Sequence, residues 1–70
     1  MTWAVCVKND GFEASLELRK LYRIVEDETS AQRACIRVID ESGEDYVFPA
    51  NMFQPLQIAH NIEEQLEALA

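Results

Sequence analysis

A β-hairpin signature in the middle of the sequence constrains the fold most. Cys35–Ile39 is rich in β-branched residues and predicts a strand. The acidic segment 40–45 contains Gly43, which supplies the positive φ that a tight hairpin turn needs. Residues 46–48 return as the partner strand, and Pro49 ends it because proline cannot donate to a ladder. The sequence therefore predicts an antiparallel hairpin.

A first and a last short strand flank this hairpin. In the first, Trp3, Val5 and Val7 alternate with smaller residues, which places them together on one face. The Asn-Asp-Gly turn at 9–11 ends this strand. Residues 56–58 are predicted to form the last strand. Short strands separated by turn signals are typical of a small all-β domain.

Residues 12–25 carry two competing patterns. Leucine, alanine and valine recur across them at helical spacing, whereas Leu21–Val25 is rich in the residue types that strands favour. The local pattern alone leaves helix and strand open for this stretch. The acidic segment 26–28 breaks both patterns, and we expect it to lie in a loop.

The period changes near the C-terminus. Three apolar side chains recur there at spacings of four and three: Ile62, Leu66 and Leu69. This pattern predicts an amphipathic helix over about residues 61–69. Asn61 is predicted as its N-cap, with Glu64 three residues later as in a capping box. Because so short a helix is marginal alone, the three side chains must dock on their own sheet or contact another protein.

Four segments of the chain together resemble a known family. They are the Cys-Val-Lys-Asn-Asp-Gly turn at 6–11, Leu-Glu-Leu-Arg-Lys-Leu-Tyr at 16–22, the Asp-Glu-Ser-Gly hairpin within 38–46 and Pro-Ala-Asn-Met-Phe at 49–53. The chain resembles a widespread group of short, largely uncharacterised bacterial and phage proteins with an SH3-like barrel. The match covers about residues 3–53. Arg19 stands where that group commonly has glycine, and Phe48 where a tyrosine is common.

At 70 residues the chain has room for a single core, so we expect one domain, whose fold the resemblance specifies. It would be a small all-β fold, an SH3-like five-stranded barrel over about residues 2–58 with the C-terminal α-helix as an addition. The resemblance also assigns 8–20 to a long loop and 21–26 to the second strand, with a helical turn near Leu16 left open. Residues 49–53 look like the single tight helical turn that separates the last two strands of peptide-binding SH3 domains.

The acidic composition narrows the classes of partner. Thirteen acidic residues against six basic ones give a formal charge of -7, which disfavours nucleic acid and anionic membranes. No apolar run is long enough to span a membrane, and the N-terminus does not read as a secretory signal. We therefore expect a cytoplasmic protein with no membrane association, in which Cys6 and Cys35 are reduced thiols.

The sequence offers no constellation for catalysis. His60 is the only histidine and has no nucleophile and acid around it, and the spacing of Cys6 and Cys35 matches no zinc pattern. Gly11 and Gly43 are too isolated to cradle a phosphate. We therefore expect no enzymatic activity, no cofactor and no metal.

Protein binding is the function that remains. The chain lacks the aromatic motifs of polyproline-binding SH3 domains, so we expect a protein-binding or accessory role with an unidentified protein partner, as a monomer or weak homodimer. The predicted partner-binding surface comprises Tyr22, Phe48, Pro49, Met52, Ile62, Leu66 and Leu69. We expect Trp3, Tyr46 and Phe53 to fill the core. The alternative is a nucleic-acid-binding barrel with a local basic face made by Lys8, Arg19, Lys20, Arg23, Arg33 and Arg37.

Overall fold

A computed structural model describes residues 2–39 and 42–69. The strands are β1 (Thr2–Cys6), β2 (Leu21–Val25), β3 (Cys35–Ile39), β4 (Asp45–Pro49) and β5 (Phe53–Leu56). The helices are α1 (Glu28–Gln32) and α2 (His60–Leu69), and a 3₁₀ turn (Ala50–Met52) joins β4 to β5. The small β-rich fold with a C-terminal helix is thus as the sequence predicts.

The five strands form one antiparallel sheet in the order β4-β3-β2-β1-β5. Within β1, for example, Trp3 pairs with Arg23 of β2 on one side and with Leu56 of β5 on the other. Among the described residues no pairing joins β4 to β5, so the sheet is open along that side. The antiparallel sheet is confirmed, and closure into a barrel does not follow from the strand pairing.

The core lies on one face of this sheet. Its buried side chains are Ala4, Cys6, Leu16, Tyr22, Ile24, Val38, Phe48, Met52 and Phe53. The Tyr22 and Phe53 rings meet edge to face at 5.7 Å, and the Phe48 ring lies 6.1 Å from that of Phe53. Such pairs contribute about 0.5–1.5 kcal/mol beyond their buried area. Because these rings fill the interior, β1 contributes the small side chains Ala4 and Cys6.

The three aromatic residues predicted to fill the core differ in where their side chains lie. Phe53 lies in it. Trp3 is buried, but it lies on the face of β1 opposite Ala4, and its Nε1 has no hydrogen-bond acceptor among the described residues. Tyr46 is 45% exposed, and its hydroxyl donates to a Glu44 carboxylate oxygen at the surface. The prediction for Tyr46 is wrong because its polar tip finds its partner at the hairpin surface.

The loop between β1 and β2, residues 7–20, consists of turns and not of a regular element. The Leu16 amide donates to the Phe12 carbonyl at 2.8 Å, which closes one helical turn, and the Asn9 side-chain amide donates to the Leu16 carbonyl at 2.9 Å. These bonds hold Leu16 in the core, where it is 1% exposed. Both the predicted loop and the helical turn near Leu16 are confirmed.

Arg19 adopts a backbone conformation that favours glycine. Its φ is +71°, in the left-handed region that costs an L-residue about 1–2 kcal/mol. The Arg19 amide donates to the Cys6 carbonyl at 2.8 Å, and the Cys6 amide donates to the Lys20 carbonyl at 2.9 Å. The strained residue therefore closes the loop against the end of β1.

The acidic segment predicted as a loop contains the start of helix α1. Asp27 is its N-cap: one carboxylate oxygen accepts from the Thr29 amide at 3.2 Å and the other from the Ser30 hydroxyl at 2.7 Å. The helix covers Glu28–Gln32, so the loop prediction is wrong from Glu28 onward. Ala34 follows the helix at φ +56°, in the left-handed conformation that often ends helices.

The hairpin of β3 and β4 follows the predicted pairing. Ile36 lies opposite Phe48, and Gly43 has the expected positive φ of +86°. Asp40 and Glu41, which belong to the predicted turn, lie outside the described residues. The hairpin prediction is therefore confirmed for the two strands and for Gly43.

The last strand begins earlier than the sequence predicts. The 3₁₀ turn predicted after Pro49 is confirmed, and β5 starts directly after it at Phe53, three positions before the predicted start at 56. Strand β5 therefore contains Pro55, which a central strand would not tolerate. Because β5 pairs only with β1 in the described sheet, Pro55 can leave its outer edge without a donor.

Candidate functional site

The apolar stripe of α2, defined as Ile62, Leu66 and Leu69, is largely uncovered. Ile62 is 47% exposed, Leu69 is 84% exposed and Leu66 is half-buried. No residue of α2 is buried. A helix that docked on its own sheet through this stripe would bury it, so the stripe does not serve to dock α2 on the sheet.

The least exposed face of α2 is a different one. Glu63, Leu66 and Glu67 are its half-buried side chains, at spacings of three and one. With about 100° between successive helical residues, the centre of this face lies about a quarter of a turn from the centre of the apolar stripe. Only Leu66 belongs to both. Glu63 and Glu67 are therefore more shielded than Ile62 and Leu69 of the apolar stripe.

The first turn of α2 differs from the prediction by one residue. The Ala59 carbonyl accepts from the amide of Glu63 at 3.0 Å, and the helix begins at His60. Asn61 lies inside the first turn, so it is not the predicted N-cap. His60 Nε2 lies 3.0 Å from a Glu64 carboxylate oxygen, and both side chains are mostly exposed. The single histidine is thus a solvated surface group at the helix start.

Three residues of the predicted partner-binding surface lie in the core instead. Tyr22, Phe48 and Met52 are only 6%, 7% and 6% exposed. Even the polar end of Tyr22 is satisfied inside, because its hydroxyl oxygen accepts from the Glu17 amide at 3.0 Å. Pro49 is half-buried. Of the seven predicted residues, those of α2 are the ones that form an accessible surface, because Tyr22, Phe48 and Met52 fill the core and Pro49 is partly covered.

Strand β4 exposes two apolar residues. Tyr46 and Val47 are 45% and 46% exposed, and Val47, which the sequence reasoning missed, lies opposite Arg37 on the face away from the core. Alternation in the sequence marks the two faces of this strand but does not tell which neighbours cover them. Strand β4 is an edge of the described sheet, which explains why its side chains are less covered.

A charged cluster connects α1, β3 and β4. The Arg37 guanidinium lies 2.7 Å from a carboxylate oxygen of Asp27 and also binds Asp45. The Ser30 hydroxyl, followed by the Arg37 guanidinium, holds the pKa of Asp27 below its usual value. The same Asp27 contact, with help from Asp45, raises the pKa of Arg37. The cluster therefore fastens the short helix to the sheet.

An open depression of about 310 Å³ lies beside this cluster. Its apolar lining comes from α1, β2 and β3: Ile24, Val25, Ala31, Cys35 and Ile36. Asp27 and Arg37, which also line it, already pair with each other. The depression thus offers a small apolar surface and no set of convergent reactive groups.

Three residues of the predicted basic face are placed by a side-chain contact or a cap position. Arg37 is neutralised by the two carboxylates of its cluster. The Lys20 ammonium lies over the Tyr22 ring, 5.4 Å from its centroid, and Arg33 is the C-cap of α1. The argument against nucleic-acid binding therefore remains the excess of acidic over basic residues in the sequence.

The described residues hold no metal-binding cluster. In segments 2–39 and 42–69, no group of three or more His, Cys, Asp or Glu could hold a metal ion. Cys6 is buried, Cys35 is half-buried, and both thiols are free. No helix in this part of the chain has the length and apolar character to cross a membrane.

Comparisons with known proteins do not identify the chain. No family model, no curated protein and no solved structure matches it. A function for the exposed stripe of α2 must therefore be argued from the side chains and charges that surround it.

Proposed function

We propose that this chain is a non-catalytic protein-binding module and that it contacts a protein partner through the apolar stripe of α2. The observation that carries the proposal is the exposure of Ile62 and Leu69 on a helix without a buried residue. Complete burial of an aliphatic side chain stabilises a complex by about 1.5–3 kcal/mol. Contiguous exposed apolar side chains with polar residues around them are typical of interaction sites.

We also propose that the sheet is the frame of an SH3-like barrel. Three observations support this: the strand order, the Gly43 hairpin, and the 3₁₀ turn between β4 and β5. The contact between the Phe48 and Phe53 rings on either side of that turn brings β4 and β5 toward each other. In this reading α2 is an appendage of the barrel, which leaves its stripe free to bind.

A cytoplasmic location in a bacterium or phage host fits the same proposal. The free thiols of Cys6 and Cys35 support a reducing compartment, where thiols remain unpaired. The location matters for the experiment, because the partner must be sought under reducing conditions.

Photo-crosslinking in cells tests the proposed function. A photoreactive phenylalanine analogue replaces Gln65, which is exposed and lies beside the apolar stripe. The matched control places it at Glu13, an exposed position in the loop between β1 and β2. We expect protein adducts from position 65 and few from position 13, because the partner contacts the helix.

The variant that tests the stripe is Ile62→Gln with Leu69→Gln, which keeps the helix and its charge. We expect it to lose the adducts at position 65 while its circular dichroism spectrum stays that of the wild type. Adducts that persist in this variant, or that form equally at position 13, contradict the proposal.

A further inference from the structure

The charges of α2 define the chemistry of its partner, provided that the proposed function is correct. The helix carries Glu63, Glu64 and Glu67 but no lysine or arginine, and its only cationic candidate, His60, is already beside Glu64. The whole chain has a formal charge of -7. We infer that the stripe binds a basic amphipathic helix of a partner protein.

The spacing of the stripe favours a helix over an extended segment. The steps of four and then three residues from Ile62 to Leu66 and Leu69 are those of a two-stranded helical seam. Glu63 and Gln65 occupy the positions that flank this seam, where charged pairs between two helices select the partner. A partner helix with apolar residues at the same spacing and lysine or arginine at its flanks would cover the stripe and face Glu63.

A second copy of this chain fits the stripe poorly. Pairing two copies of α2 through the stripe would place Glu63 of each helix beside the seam, with no lysine or arginine on either helix to pair with it. Like charges across an interface oppose association, whereas a basic partner gains from the same carboxylates. The helix is also only about 15 Å long, so one face supplies much less than the roughly 800 Å² per partner of a stable interface. We therefore expect transient binding that depends on opposite charge.

Two synthetic helical peptides of about 14 residues serve as probes. Both carry leucine at the seam spacing, and their remaining positions are lysine in one and glutamate in the other. We measure binding to the full chain by fluorescence anisotropy at about 50 mM and about 500 mM salt. We expect the Leu/Lys peptide to bind at low salt, to weaken at high salt and to lose binding with Ile62→Gln and Leu69→Gln.

A matched pair of charge variants separates α2 from the net charge of the chain. One variant changes Glu63, Glu64 and Glu67 to Gln. The control changes three exposed glutamates elsewhere to Gln: Glu13, Glu17 and Glu44. We expect roughly tenfold weaker binding for the α2 variant, from about 0.2–1 kcal/mol per charge pair, and little change for the control.

Three results of the peptide measurements would overturn the inference. They are equal losses in both charge variants, equally tight binding of the Leu/Glu peptide, and absence of Leu/Lys binding to the wild type. A wild-type dimer that dissociates on Ile62→Gln and Leu69→Gln, seen by analytical ultracentrifugation, would identify a second copy as the occupant instead. Photo-crosslinks at position 65 that persist when the three α2 glutamates are changed to Gln refute only the basic partner. Photo-crosslinks that persist in the Ile62→Gln and Leu69→Gln variant refute the proposed function itself.

Discussion

Replacement of Leu16 by alanine should remove a large part of the stability of this domain. Leu16 comes from the loop between β1 and β2, yet it is 1% exposed within the core. A buried Leu→Ala change costs about 2.7–5 kcal/mol, because it removes apolar contacts and leaves a cavity. A chain of this size has a free energy of unfolding of only about 3.5–10 kcal/mol.

The same loop provides the control. Leu18 is 53% exposed, so Leu18→Ala should change the free energy of unfolding by only about 0.5 kcal/mol. Urea unfolding, followed by circular dichroism and by the fluorescence of Trp3, measures both variants. If Leu16→Ala does not fold, Leu16→Met should still fold, with a loss below about 1.5 kcal/mol. Equal losses in the two alanine variants would refute the reasoning, because the loop would then not be part of the core.

Four further substitutions, one of them a control, test the local geometry. Ala34→Gly should stabilise the protein by about 0.5–1 kcal/mol, because glycine adopts the left-handed backbone at φ +56° without strain. The control, Ala31→Gly inside α1, should instead cost about 1 kcal/mol. If urea unfolding shows both variants stabilised or both destabilised, this reasoning is wrong. Gly43→Ala should cost about 1–2 kcal/mol through its φ of +86° alone, since an added Cβ meets no atom within 4 Å. The pKa of Asp27 in the folded protein lies below the usual carboxyl value of 3.8, so the ionised carboxylate stabilises the fold above that value and this stabilisation is lost as the pH falls through the folded pKa. The difference in unfolding free energy between the wild type and Asp27→Asn should therefore shrink between about pH 5 and pH 2. A difference that stays constant with pH would contradict the ion pair.

The strands could be predicted wherever a local signal was strong. Gly43 and Pro49 mark the two ends of β4, and the β-branched run of β3 has no competing pattern. Helix α1 could also have been found, because Asp27 precedes it as a cap and Ser30 supplies a second polar partner. The run of acidic residues hid this signal, since it reads equally well as a solvated loop.

Which side chains face the core could not be predicted from alternation alone. The pattern of β1 separates Trp3 from Ala4 but does not say which face meets the aromatic rings of other strands. Likewise, Tyr22 and Phe48 carry the same sequence signal whether they line a surface or fill a core. In the structure both share one core with Leu16, which reaches it from a loop without a periodic pattern.

The position of α2 bears on why the apolar stripe exists at all. Had the stripe served only to hold the helix on its own sheet, Ile62 and Leu69 would be the shielded positions, because burying them is favourable. Instead Glu63 and Glu67 are partly shielded, and desolvating a carboxylate opposes docking. The stability of the folded chain therefore does not explain the stripe. The proposed basic partner would cover the stripe and bring positive charge to Glu63 at its flank, which would explain why the apolar residues are exposed.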